Sequence, residues 1–167
     1  RARTALARVE DALPDLERRG MEVERLRALR LVGVLHARRG DRSRLDSALQ
    51  SLDRSGARVQ RDLLVVETAE AGAGVDPEEV WASARRLERE GLRRRATVGR
   101  AWAARRAFEA GDDRAPGWAR EVLASRRATP WARMVAHHVL GRSGMALRAR
   151  HLSRAVRLAD RLQGRLC

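Results

Sequence analysis

Leu16-Glu-Arg-Arg-Gly20 returns as Leu52-Asp-Arg-Ser-Gly56 and again as Leu87-Glu-Arg-Glu-Gly91. Weaker echoes stand at Leu123-Ala-Ser-Arg-Arg127 and Leu158-Ala-Asp-Arg-Leu162. The five leucines are 36, 35, 36 and 35 residues apart. A fixed period of that length marks an architecture in which one supersecondary unit is stacked on copies of itself. Such stacks serve mostly as scaffolds and binding surfaces.

The segments between the phrases carry helical periodicity. From Gly20 to Gly40, Val23, Leu26, Leu29, Val32 and Leu35 step by three, and Leu31 and Val34 widen the stripe. Gly40 suits a helix C-terminus and Asp41 the cap of the next helix. That second helix carries Leu45, Ala48, Leu49 and Leu52 and ends near Gly56, so one period holds two antiparallel helices. The grammar repeats 71 residues on: Gly20 maps to Gly91, Gly40 to Gly111, Asp41 to Asp112, and Leu31 to Trp102 as a large buried anchor. Residues 57–72 and 76–90 make another pair. Asp76-Pro77-Glu78-Glu79 opens a helix with a cap, a first-turn proline and acids on the positive end of the dipole, and Thr129-Pro130-Trp131 opens one the same way. The last helix is apolar at Leu147, Leu152, Val156 and Leu158.

The spacing predicts about nine helices, at 2–19, 21–39, 41–55, 57–72, 76–90, 92–110, 112–126, 129–142 and 145–163. Pro14 is expected to kink or split the first, and Pro116-Gly117 to shorten or break the seventh. Leu63-Leu-Val-Val66 is the one candidate strand, and the repeat makes it helical. The expected fold is all-α, a right-handed superhelix of four to five hairpins forming a single domain over 1–167. Because the first residue is Arg and a repeat phrase is complete by Gly20, a piece of a longer protein is expected.

With 44% hydrophobic and 35% charged residues, the chain can bury a core and does not have the composition of a disordered one. No apolar run reaches the roughly 18–20 residues that span a bilayer, and no secretory leader follows Arg1-Ala-Arg-Thr4, so a cytoplasmic location and no membrane partner are expected. Cys167, the single cysteine, forms no internal disulfide and no cysteine-rich metal site. All 36 basic residues are Arg, and Asn, Ile and Tyr are missing along with Lys. Their codons are rich in A and T, which points to a GC-rich genome and discounts the high pI. The distribution of charge is harder to set aside. Residues 1–83 hold 15 Arg and 15 acids, whereas 84–167 hold 21 Arg and 7 acids, a net of +14. Codon usage does not explain why acids thin out in one half. The asymmetry suits an acidic partner, nucleic acid included, or an acidic neighbouring domain; a solvated basic surface is the plainer alternative.

A 35-residue helical hairpin with Leu29, Gly33 and Gly40-Asp41 in these places resembles the tetratricopeptide repeat. The resemblance implies a small residue in each first helix, held by Gly33, Ala69 and Ala104, and first helices lining a concave surface. His36 stands where that family has an aromatic, Leu45 where it has alanine, and the closing proline is missing. Pentatricopeptide repeats, which bind RNA, share the length, but their base-reading positions favour residues that include Asn. The stretch Arg126-Arg-Ala-Thr-Pro-Trp-Ala-Arg-Met-Val-Ala-His-His-Val-Leu140 is similar to the repeat arms of bacterial CHAT-domain proteins, which are caspase-like peptidases, and comparable arms occur in large ATP-binding transcriptional regulators. In that case the peptidase residues would lie outside this segment.

Catalytic chemistry finds little footing. Without Lys there is no phosphate-binding loop of the GxxxxGK type and no Schiff-base lysine in this segment. Ala71-Gly-Ala-Gly-Val75 is a Gly-x-Gly between helices, with no preceding strand to make a dinucleotide site. Gly141-Arg-Ser-Gly144 does not meet the nucleophile-elbow pattern and reads as a turn. His137 and His138 are adjacent and diverge by about 100° on a helix, so they cannot share a metal. Asp112-Asp113 fits capping. Trp81, Trp102, Trp118 and Trp131 read as core or seam anchors rather than a nucleotide-stacking row.

The expected function is therefore a non-catalytic protein-interaction, sensor or scaffold arm of a larger bacterial protein, with no cofactor, no metal and no small-molecule substrate. Its partner would be a protein or peptide with acidic character, met by Arg94, Arg95, Arg100, Arg105, Arg106, Arg133 and His137. The alternatives are nucleic-acid binding by 84–167, or the arm of a peptidase whose active site lies elsewhere.

Overall fold

The recurring phrase closes the same turn three times. In the computed structural model, which describes residues 2–144 and 148–163, the N–H groups of Met21, Ala57 and Leu92 donate to the carbonyls of Leu16, Leu52 and Leu87 at 3.0, 3.0 and 2.9 Å. The N–H of the glycine before each donates to the carbonyl three residues back. This is the Schellman closure, which requires its glycine in the left-handed region. Gly56 and Gly91 sit there at φ 64° and 80°, where a side chain would be strained. Gly40-Asp41 and Gly111-Asp112 close the alternate turns alike, with Asp41 and Asp112 donating to the carbonyls of His36 and Ala107. The two weaker echoes make no such turn. Leu123 precedes a helix end at Ser125 in extended backbone, and Leu158 lies inside a helix.

The described residues form nine helices and no strand: α1 (Ala2–Arg18), α2 (Glu22–Arg38), α3 (Arg42–Arg54), α4 (Arg58–Ala71), α5 (Pro77–Arg89), α6 (Arg93–Glu109), α7 (Ala115–Ala124), α8 (Pro130–Arg142) and α9 (Arg148–Gln163). Asp41, Asp76 and Thr129 cap α3, α5 and α8 through their side chains, accepting from Arg44, Glu78 and Ala132. Leu147 and Cys167 lie outside the described residues.

Four expectations need correction. Pro14 does not split α1, which runs through it. The seventh helix starts at Ala115 rather than 112, because the Asp112 carboxylate accepts from the Arg114 N–H and holds a turn ahead of Pro116. Gly141 belongs to α8 rather than to a turn. Leu31 is no buried anchor: it is 45% exposed, and Val23 is 56% exposed, because the buried side of α2 is Val32, Gly33, Val34, His36 and Ala37.

The chain divides into two compact units, Arg1–Gly74 and Val75–Cys167, with the boundary in the link between α4 and α5. In the first, α2 packs against α1, α3 and α4. Its core is aliphatic: Val34, Leu45, Leu52 and Leu64, with Leu26, Leu29 and Leu49 at the edge. Gly33 is the point of closest approach. A Cβ there would stand 2.7 Å from Leu64 Cδ2 and 3.2 Å from Ala48 Cβ, so the small residue is what lets the helices meet. In the second unit α6 packs against α5, α7 and α8, and α8 against α7 and α9. Its interior is mainly alanine, with Ala84, Ala96, Ala101, Ala104, Ala107, Ala119, Ala132 and Ala136 all buried. Within each unit, packing against helices one and two along the chain is compatible with a helical repeat fold.

Candidate functional site

The tryptophans of the second unit build two columns with arginine. Trp81 of α5 stacks on Trp118 of α7, ring centroids 4.8 Å apart and planes within 8°. Arg100 lies over Trp81 at 5.5 Å and Arg114 over Trp118 at 5.1 Å. Trp102 of α6 meets Trp131 of α8 at 5.0 Å in a tilted pair, and Arg105 and Arg106 lie over Trp102 at 5.2 and 5.6 Å. A guanidinium over an aromatic face is attracted by the ring quadrupole. The tryptophans are thus seam anchors joining helices.

The same arginines hold carboxylates. Arg100 donates to Glu88, Arg105 and Arg106 both donate to Glu109, and Arg114 bridges Asp112 and Glu78 at 2.8 Å each. Arg114 donates to Asp112 through its side chain and backbone, and this holds the Asp112 carboxyl below its ordinary range. Asp112 and Glu78 in turn push the Arg114 guanidinium up. Burial works to raise the Glu109 carboxyl, but the hydrogen bond from Arg105 and the charges of Arg106 and Arg105 outweigh it and bring it below the usual value.

The seven residues expected to meet a partner therefore divide. Arg94 and Arg95 are exposed at the start of α6. Arg100, Arg105 and Arg106 stand over tryptophans and on carboxylates. Arg133 braces the link before α8, donating to the carbonyls of Ala128 and Ser125 at 3.2 and 3.0 Å. His137 is buried, with Nδ1 2.9 Å from Nδ1 of His151 on α9. Burial, then the charges of His151, Arg154 and Arg133, lower the His137 imidazole to about 4. His138 points outward, and burial of part of its ring with the charges of Arg105 and Arg142 lowers it as well. Sharing a face on α8 did not bring Arg133 and His137 to a common surface, because the link and α9 each claim one of them.

A groove of about 550 Å³ runs along α5, lined by Glu78, Trp81, Arg85, Arg86, Arg89 and Arg100. Sequence reasoning passed over it. A signal was present: Arg85 and Arg89 are spaced one turn apart on the side opposite the buried Val80, Ala84 and Leu87, with Trp81 one turn before Arg85 at the edge of the buried face. Among the described residues no three His, Cys, Asp or Glu side chains gather to hold a metal, and no helix is long and apolar enough to cross a membrane. Comparison with family models, with curated proteins and with solved structures finds no match.

Proposed function

We propose that the chain is a non-catalytic interaction arm that binds an acidic segment of a protein partner through arginines of its second unit. The observation that carries this is a surplus of cations without internal acids. Val75–Cys167 holds 21 Arg against 10 Asp and Glu, and Arg1–Gly74 holds 15 against 12. Within the second unit Arg85, Arg89, Arg93, Arg94, Arg126 and Arg127 are exposed, and their guanidinium groups make no hydrogen bond or ion pair among the described residues. Guanidinium groups left in that state suit bidentate bonding to carboxylates.

The proposal extends to architecture and context: hairpins of the tetratricopeptide kind in a right-handed superhelix, forming the arm of a larger bacterial protein with an effector such as a caspase-like CHAT peptidase. The three Schellman closures on a 35–36 residue period and the tight site at Gly33 support the repeat family. The test is a pull-down with the chain as bait, with and without nuclease, at low and moderate salt. A discrete protein that survives both treatments is the expected result. Recovery of nucleic acid alone, lost steeply as salt rises, would replace the acidic protein with a phosphate backbone as the partner.

A further inference from the structure

We infer that the groove along α5 is the docking site of an extended peptide segment with two carboxylates placed two residues apart; this rests on the proposal that the second unit binds an acidic protein partner. Glu78, Trp81, Arg85 and Arg89 follow one stripe of α5. The stripe extends for about 16 Å at 1.5 Å per residue, a length that about five residues of extended chain would cover.

The charges along it are graded. Glu78 is engaged by Arg114, and Glu88 by Arg100. Neither carboxylate is left to answer the arginines beside it. Arg86 donates to Ser83 Oγ. The guanidinium groups of Arg85 and Arg89 make no hydrogen bond or ion pair among the described residues, and the two residues stand one helical turn apart. Arg100 is already committed, to Glu88 and to the Trp81 face, and leaves Arg85 and Arg89 as the open cations of the groove. Side chains one turn apart on a helix are separated by about 5–6 Å, and alternate side chains of an extended strand by about 6.6 Å. Two carboxylates at positions n and n+2 therefore match Arg85 and Arg89.

Trp81 gives the groove a fixed wall: it is stacked on Trp118, carries the Arg100 guanidinium over its ring and is only 8% exposed. The occupant is a peptide rather than a nucleic-acid strand. The uncompensated cations Arg85 and Arg89 cover one helical turn, and Glu78 and Glu88 line the same groove, so the stretch is too short and too mixed in charge to follow a phosphate chain with a charge at every nucleotide. The groove also lies on α5, a second helix of its hairpin in the repeat grammar, and not on the first helices expected to line a binding surface.

The test is fluorescence anisotropy with the whole chain and a labelled ten-residue peptide of alternating Glu and Ala, at about 150 mM salt. Arg85→Gln/Arg89→Gln is expected to weaken binding at least tenfold. Arg148→Gln/Arg150→Gln, which removes the same charge from exposed positions of the same unit that carry no part of the proposed binding surface, is expected to stay within twofold. Unchanged helical circular dichroism checks that both variants fold. Equal weakening by the two pairs would overturn the groove and leave the acidic-partner proposal standing. No binding of the peptide by the unaltered chain, even at 50 mM salt, would overturn both. Tighter binding of a ten-nucleotide oligothymidylate than of the peptide would overturn the groove's occupant in favour of a phosphate strand.

Discussion

The two units solve the same packing problem with different side chains. Arg1–Gly74 has no tryptophan and fills its interior with Leu45, Leu52, Leu64, Val65 and Val66 around one glycine contact. Val75–Cys167 fills its interior mainly with alanine, beside Val80, Leu87, Val122 and Val139, and adds two tryptophan pairs covered by arginine. Alanine lets helices approach but buries little apolar area per residue, so the tryptophans supply area that the interior does not. Their faces attract guanidinium groups, and those in turn hold Glu78, Glu88, Glu109 and Asp112. The surplus of positive charge in the second unit is thus divided by its way of packing: some arginines serve the rings, the carboxylates and the link before α8, while the guanidinium groups of Arg85 and Arg89 make no hydrogen bond or ion pair among the described residues.

The comparison makes the first unit vulnerable to truncation and the second to enlargement. Leu52→Ala is expected to cost about 4 kcal/mol, since Leu52 is fully buried and its loss leaves a cavity. Helical circular dichroism during urea unfolding measures it, and a cost below about 1 kcal/mol would mean that this interior is not packed around its leucines. The second unit should weaken in acid. The folded chain holds His137 down to about 4 from 6.5, so as pH falls across that interval the unfolded chain takes up more protons. Stability is full above 6.5, declines by up to about 3 kcal/mol toward pH 4 and levels off below it. His137→Leu should remove that dependence, and its persistence would place the titration elsewhere. Ala104→Leu should cost about 2 kcal/mol by overpacking a fully buried site, read from tryptophan emission, which reports only the second unit. Gly56→Ala and Gly91→Ala, one from each unit, should cost about 1 kcal/mol each, because the turns they close are the same. Unequal costs would show that the shared phrase carries different loads in the two units.

The helices and their closures were legible because they depend on residues within five positions of one another. Leu87 and Gly91 announce their turn without reference to anything distant, and Asp76-Pro77 announces a helix start. What escaped was set by partners far along the chain. Leu31 shares the apolar stripe of α2, yet its side chain is left 45% exposed among the described residues. The start of α7 shifted because Asp112 bonded to Arg114 instead of opening the helix. The fates of the arginines were least legible. Arg100 meets Glu88 across 12 positions and Arg114 meets Glu78 across 36, so composition counts every Arg alike while packing separates the engaged from the available. Arg85 and Arg89 stand out only once their neighbours are seen to be occupied.

The Schellman closure at Leu16, Leu52 and Leu87 is made of main-chain atoms, and beyond its glycine it asks little of any particular side chain. Met21, Ala57 and Leu92 follow it with no chemistry in common, and each begins a helix without a side-chain cap. A segment copied along a gene can therefore drift almost freely and still turn the chain at the same place. The same closure accommodates an aliphatic block and an alanine–tryptophan block on one 35–36 residue metre, held by a leucine, a glycine and the distance between them.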